Sequence, residues 1–353
     1  MMAQKKRAGI HQIAELAKVS IGTVDRALHG RPGISDKTRK KVLRIAREIS
    51  YSPNPAARAL SVGRAGVRIG VCIPEEIHFF YDQMRAGIFD EGQRVGSLGI
   101  DLEYRPAREL GGEKREIASL LQDGVNALII TPGNPQVMTP VINRAEKDNV
   151  RVVCVTTDAP NSHRSSAVCV NPELSGRLAA ELMAKLLPAG SETAIVTGMM
   201  TAEEHRQKTE GFRSSFVKDC PGGKTVAVIE AHESEQESYQ KTCDLLAERK
   251  DLRGIYVNTV NSLPVCRALQ RHKLSRKVKL ITTDLFRQMV PYFDRGTIAA
   301  SIYQHPYVQG QTAVRILADH LLNGTAIPKV HYLNPAIVLR TNLLLFREIS
   351  QPT

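Results

Sequence analysis

Near the start of the chain, Ile21, Gly22, Asp25 and Arg26 share one side of a short periodic segment, while Val24, Ala27 and Leu28 share the other. On a helix this spacing buries the second set and exposes the first. Arg26 can donate two parallel hydrogen bonds to one guanine edge, and Ile21 can meet a thymine methyl. Arg26 can equally contact a phosphate. This is the chemistry of groove recognition rather than bond-making. The remaining sequence carries no GxGxxG, P-loop, HExxH or GxSxG signature, and the ten histidines form no ligand cluster. No enzyme activity, cofactor or metal is therefore expected.

Charge supports a polyanionic partner. The 353 residues carry a formal charge of +12, and residues 1–66 hold 14 Lys or Arg against four acids. Most of the net charge thus sits in the first fifth of the chain, the electrostatic footprint of a nucleic-acid-binding unit. This segment also has a core pattern, which separates it from a basic tail. Ile10, Ile13, Ala14 and Ala17 predict a helix over 10–17. Ser20 can cap a second helix ending at Leu28. The Gly- and Pro-containing stretch 29–33 predicts a loop. Ser35 can cap a third helix over 36–49, with Val42, Leu43, Ala46 and Ile49 inward and Lys37, Arg39, Lys40, Lys41, Arg44 and Arg47 outward. Two short helices and a tight turn, braced by a third helix, make a helix-turn-helix unit whose second helix can enter the major groove.

The runs IAELAKVSIGTVDRAL (13–28) and ISDKTRKKV (34–42) resemble the headpiece of LacI-family transcription regulators, and YSPNPAARAL (51–60) continues the likeness into that family's hinge. By this resemblance the DNA-binding residues are Ser20, Ile21, Gly22, Thr23, Arg26, His29, Asn54, Ala57 and Leu60. The chain departs from the family in three places. Lys18 stands where Gly is usual, at a position of positive φ that costs a non-glycine residue about 1 kcal/mol. Asp25 replaces a usual Ser and either accepts from a cytosine amine or pairs with Arg26. His29 replaces a frequent Asn.

Residues 54–60 could form only about two helical turns, marginal in isolation. The resemblance implies a hinge helix that folds on DNA, pairs with its twin through Ala57 and wedges Leu60 into the minor groove, which would kink the duplex. Residues 61–66 read as a flexible link.

Beyond residue 66, short β-rich runs alternate with helical ones. Strands are expected at 68–73, 100–104, 127–131 and 150–156, then at 193–197, 225–231, 254–258 and 279–283. Helices are expected at 81–97, 113–123, 136–148, 172–187, 203–219, 236–249 and 261–272. Such alternation predicts two α/β lobes with parallel sheets and a ligand cleft at the carboxyl ends of the strands. The fold class expected overall is an all-α helix-turn-helix headpiece followed by a two-lobed periplasmic-binding-protein-like type I α/β fold.

From about 67 to 345 the chain resembles the sensor of the same regulators and ribose-type sugar-binding proteins. The likeness implies three crossings between lobes, near 168–171, 304–306 and 331–334. The domains expected are 1–52 (DNA binding), 53–66 (hinge and linker) and 67–353 (effector binding), the last split into an N-lobe of about 67–168 and 306–331 and a C-lobe of about 171–304 and 334–348. The implied effector-binding positions are Phe79 and Phe80, stacking on a sugar ring, with Asp158, Arg206, Asn258, Asp284 and Gln304 bonding hydroxyls. The family's aspartate usually follows the fourth strand directly. Here the sequence runs Thr156-Thr157-Asp158, so Asp158 either serves from two residues on or faces solvent. Glu233 falls where an aromatic residue is frequent, and Glu203, Glu204 and His205 precede Arg206, so a more polar pocket than a pentose site is expected.

No apolar run approaches the roughly 20 residues of a membrane helix, and the basic start lacks a following apolar stretch, so a cytoplasmic protein is expected. The six cysteines are scattered, mostly in apolar runs, and read as small buried hydrophobes. A transport-type solute-binding protein and an α/β enzyme with an appended DNA-binding unit are the competing readings. The expectation carried forward is a homodimeric repressor that binds operator DNA under control of a sugar or sugar derivative.

Overall fold

The computed structural model of the chain describes residues 10–28, 32–49 and 66–350. The first part is three helices, α1 (Ile10–Ala17), α2 (Ile21–Leu28) and α3 (Asp36–Glu48). Ser35 caps α3, its hydroxyl accepting from the Thr38 N–H at 3.2 Å. Ile13, Ala14, Ala17, Val24, Ala27, Val42, Ile45 and Ala46 form their common core. Ile45, rather than Leu43, joins Val42 and Ala46 on the buried face of α3. Positions 42, 45, 46 and 49 are the i, i+3, i+4, i+7 stripe of a helix, and Leu43 falls beside it, half-buried.

Residues 66–350 form two sheets of six strands. The first has the order β11-β5-β4-β3-β1-β2, built from β1 (Val67–Cys72), β2 (Ile100–Tyr104), β3 (Ala127–Ile130), β4 (Arg151–Val155), β5 (Ser166–Val170) and β11 (Val330–Leu333). The second has the order β12-β10-β9-β8-β6-β7, from β6 (Glu192–Thr197), β7 (Lys224–Glu230), β8 (Leu252–Val257), β9 (Lys279–Thr283), β10 (Ile298–Tyr303) and β12 (Ala336–Val338). All pairings are parallel except β10 with β12. Each sheet contains the doubly wound order 2-1-3-4-5, so each has a switch point where loops diverge and a ligand can enter.

The strands read as continuous apolar runs because both faces are covered. Alternate residues feed different clusters: Ile69, Ile129 and Val153 pack on one side of the first sheet, Leu128, Ile130 and Val152 on the other. In the second sheet Val196, Val257 and Leu280 pack opposite Ile195, Tyr256 and Ile281. In each lobe one pair of helices crosses closely through reciprocal glycines. A Cβ on Gly87 would strike the backbone of Tyr307, and one on Gly310 the backbone of Met84. Gly176 and Gly211 make the same arrangement with the backbones of Lys208 and Glu173.

The chain passes from the first lobe to the second after β5, back between β10 and the helix Pro306–Asn323, and over again between β11 and β12. Much of what sequence reading treats as bare crossing is strand, because β5 and β11 pair with each other (Ala167 with Val330, Val170 with Leu333) and finish the edge of the first sheet. All six cysteines are buried and free. Among the described residues no helix is long and apolar enough to cross a membrane.

Candidate functional site

Two regions carry candidate chemistry. In the headpiece, Lys18 adopts φ 54° and turns the chain between α1 and α2. Ser20 opens α2: its hydroxyl accepts from the Thr23 N–H at 3.2 Å and lies 2.9 Å from the Thr23 hydroxyl. Ser20, Ile21, Gly22 and Arg26 are exposed on α2, while Val24 and Ala27 are buried beneath them. Ile21 is 42% exposed, which leaves its side chain open to a groove contact. Lys37, Lys40, Lys41, Arg44 and Arg47 are exposed on α3. The candidates His29, Asn54, Ala57 and Leu60 lie outside the described residues.

The second region is a cavity of about 20 Å³ between the lobes, lined by Ile77, Phe80, Tyr81, Leu110, Thr156, Glu204, His205, Glu233, Asn258, Thr259, Val260, Asp284 and Gln304. Its C-lobe wall follows from topology. Strands β7, β6, β8, β9 and β10 are consecutive neighbours, and the segment after each supplies a polar side chain: Glu233, the Glu204–His205 pair, Asn258, Asp284 and Gln304. The N-lobe supplies mainly apolar surface, with Phe80 and Tyr81 packed edge to face at 5.1 Å. Several lining residues sit in left-handed backbone at strand ends: Thr156 (φ 69°), Glu233 (57°) and Asp284 (67°). Such conformations cost non-glycine residues about 1–3 kcal/mol and concentrate where a side chain must be aimed.

Burial and pairing define the electrostatics. The Lys208 ammonium is fully buried and ion-paired with Glu204, and it donates to the Asn258 carbonyl at 3.5 Å. Burial alone would push the Glu204 carboxyl up; the charges of Lys208 and His205 outweigh it and hold the carboxyl below its ordinary value. His205 Nε2 lies 3.3 Å from Glu233 Oε1 and 3.8 Å from Glu204 Oε2, while its Nδ1 accepts from the Met199 N–H at 3.0 Å. The same Nδ1 lies 3.1 Å from the Met199 carbonyl oxygen, which would accept from it were it protonated, while Nε2 faces the carboxylates. The other oxygen of Glu233 accepts from the Thr259 hydroxyl at 2.5 Å and Asn261 Nδ2 at 3.3 Å. Asn258 donates to Thr209 Oγ1 and the His205 carbonyl, while its own Oδ1 accepts no hydrogen bond. Gln304 donates to both oxygens of Asp284, at 3.0 and 3.1 Å. Gln309 continues the network, donating to the Gln304 carbonyl and accepting from the Thr156 N–H.

Of the effector positions named from sequence, Phe80, Asn258, Asp284 and Gln304 line this cavity. Phe79 stacks instead on Phe286 across the lobes, ring centroids 4.2 Å apart and 11° from parallel. Arg206 lies elsewhere. Glu204, His205 and Lys208 face inward, so Arg206 shares the outer stripe of its helix with Glu203 and Glu210, its partners at 2.5 and 2.8 Å. Asp158 is also drawn away: it binds Arg164, whose Nη1 donates to the Lys329 carbonyl at 2.7 Å and ties this loop to the strand edge. Tyr81, Thr156 and Thr259 line the cavity unforeseen, and Glu204, His205 and Glu233, expected from sequence to make the pocket more polar, line it too. The polar run at 203–206 signals a charged helix start, yet which of its members turn inward depends on the helix phase.

A helix-turn-helix headpiece followed by two doubly wound lobes around a polar cleft defines a DNA-binding regulator built on a periplasmic-binding-protein scaffold. The chain belongs to the family of bacterial regulatory proteins named for lacI: residues 9–54 match that family's model and residues 69–325 match the periplasmic binding protein domain. Catabolite control protein A of Priestia megaterium is 25% identical over 325 residues, covering 90% of this chain and 93% of that protein. A glucose-galactose binding protein from Geobacillus stearothermophilus has the same fold (TM-score 0.72, 25% identity, 78% of this chain and 99% of that one). So has a solute binding protein from Burkholderia graminis solved with D-arabinose (TM-score 0.74, 22% identity, 79% and 97%).

Proposed function

We propose that this regulator is a cytoplasmic homodimer that represses transcription from a near-palindromic operator, and that a carbohydrate-like effector in the interlobe cavity controls its DNA affinity. The observation that carries this reading is the cavity wall itself, where the segments after five adjacent strands each contribute a polar group to a cavity that Phe80 and Tyr81 also line. A buried polyol needs a partner for each hydroxyl, and its C–H face suits an aromatic surface. Phe80, Asn258, Asp284 and Gln304 are the effector contacts carried from sequence, with Glu204, His205 and Glu233 added.

On the DNA side, Ser20, Ile21, Gly22, Thr23 and Arg26 are assigned to the major groove and the backbone, with His29, Asn54, Ala57 and Leu60 completing the interface. The domain limits proposed are 1–52, 53–66 and 67–353. Effector and DNA control one another only if they favour different lobe arrangements, or the same one for a corepressor.

The test is operator selection from a random DNA pool by the purified full-length protein at near-physiological salt, with and without a sugar panel. One enriched palindrome whose binding changes with one compound supports the proposal. Binding that only fades with salt and enriches no sequence reduces the headpiece to a nonspecific basic module. In the enriched case, Leu60→Ala is expected to reduce DNA bending in a FRET assay.

A further inference from the structure

The cavity is lopsided in charge. Its lining holds three carboxylates, Glu204, Glu233 and Asp284, and among the described residues that line it there is no Lys or Arg. Lys208, behind Glu204, supplies one positive charge. His205 Nε2 lies 3.3 Å from Glu233 Oε1, and its charge adds to that of Lys208 in holding the Glu204 carboxyl low. The one arginine that sequence reading places here, Arg206, is held on the outer face by Glu203 and Glu210. Hydrogen-bonding capacity is skewed in the same sense. Asn258, fully buried, has already committed its amide protons, and its free Oδ1 is an acceptor. The Thr259 hydroxyl is spent on Glu233 and the Gln304 amide on Asp284. The three carboxylates and Asn258 Oδ1 leave this C-lobe wall richer in acceptors than in donors, while the Tyr81 hydroxyl is the donor on the facing side.

A water-excluded wall of this kind penalises an anionic guest and favours one that brings donors and positive charge. Building on the proposed carbohydrate-responsive function, we propose that the effector is a polyhydroxylated compound bearing a protonated amine, of the amino sugar class, with the ammonium received by the C-lobe acceptors at the ends of β6, β8 and β9. The sugar's apolar face then lies on Phe80 and Tyr81. Phosphorylated and acidic sugars are rejected by the same carboxylates, since among the described lining residues none brings a guanidinium or ammonium to receive them. The cavity is smaller than any sugar, so entry parts the lobes and breaks the Phe79–Phe286 stack and the bond from the Glu204 N–H to Thr157 Oγ1.

The experiment is calorimetry on the full-length protein at a pH where the amines are protonated. The probes are glucosamine, galactosamine and mannosamine, each with its neutral parent hexose, its N-acetyl derivative and its 6-phosphate. The expected result is that one free hexosamine binds at least tenfold tighter than its parent and its N-acetyl form, with no binding of its 6-phosphate. Asp284→Asn is expected to erase that tenfold preference, with the thermal melting point measured alongside; a tenfold preference that survives in the folded variant overturns the ammonium site. A parent hexose or N-acetyl derivative that binds as tightly as the amine overturns the ammonium site and leaves the sugar-responsive regulator standing. Tightest binding by a phosphorylated sugar overturns it likewise. No binding by any member, with operator binding intact, overturns both the amine and the carbohydrate reading.

Discussion

His205 and Glu233 belong to segments that follow different strands, β6 and β7, yet His205 Nε2 and Glu233 Oε1 meet 3.3 Å apart over the backbone of Gly198. Any side chain at Gly198 would occupy the same space: a Cβ there would lie 2.7 Å from Glu233 Cδ and would collide with the His205 ring. The glycine at the end of β6 is what lets an acid and an imidazole share the cleft floor.

Gly198→Ala should therefore separate that pair. Overpacking a tight site costs about 1–3 kcal/mol, so the melting midpoint should fall moderately. Effector affinity should fall tenfold or more, while operator binding without effector persists. Calorimetry and gel shift on the same preparation check this. Unchanged effector binding would show that the His205–Glu233 contact is not part of the site.

Lys208 is fully buried and ion-paired with Glu204. Lys208→Met keeps the volume and strands the carboxylate. Removing one partner of a buried pair typically costs about 3–5 kcal/mol, to be read from urea unfolding at pH 7. The double variant Lys208→Met/Glu204→Gln should recover much of the loss, because no uncompensated charge remains.

Glu204 and Glu91 share a pH signature. Burial opposes ionisation of both, but Lys208 and His205 hold Glu204 low, and Arg315 and Arg94 hold Glu91 low. A folded-state pKa below the unfolded value means the unfolded chain binds more protons on acidification. Their stabilisation is complete above the ordinary Glu value of about 4.3 and is lost as pH falls through the lower folded values. Unfolding free energy measured from pH 6 down to pH 3 should decline, and the decline should be shallower in Glu204→Gln.

Phe79 and Phe286 form the ring stack that bridges the lobes. Phe286→Ala removes a contact worth about 0.5–1.5 kcal/mol beyond buried area. The lobes should separate more readily, seen as a larger radius of gyration by solution scattering without effector. An unchanged radius would assign the stack to local packing.

Arg26→Ala should cost about 1–3 kcal/mol on the selected operator and relax the preference at one base position. Equal losses on operator and random DNA would assign Arg26 to a phosphate.

Local pattern made much of this protein legible. The three headpiece helices follow from the spacing of Ile13, Ala17, Val24, Ala27 and Val42 and from the Ser20 and Ser35 caps, all interactions within a few residues. The strands β1 to β4 and β6 to β9 announce themselves as apolar runs because both sheet faces are covered. Strands β5, β10, β11 and β12 and the helix Pro306–Asn323 went unnamed. Most of them lie in or next to segments read as crossings, and β11 acquires its strand character from β5, 163 residues apart in the Ala167–Val330 pair.

The sequence by itself determined a basic helix-turn-helix unit and two α/β lobes through local periodicity, while Phe80, Asn258, Asp284 and Gln304, which line the cavity, were named by resemblance to the family's sensor. Tertiary structure alone decided which charged groups face the cavity. Arg206 turns outward to Glu203 and Glu210 while His205 and Glu204 turn in, a choice of about 100° per residue made by how the helix packs through Gly176 and Gly211. Asp158 is claimed by Arg164, and Glu233 reaches the cavity only because its backbone takes φ 57° above a glycine. Those outcomes depend on contacts between residues far apart in the chain, which no window of sequence contains.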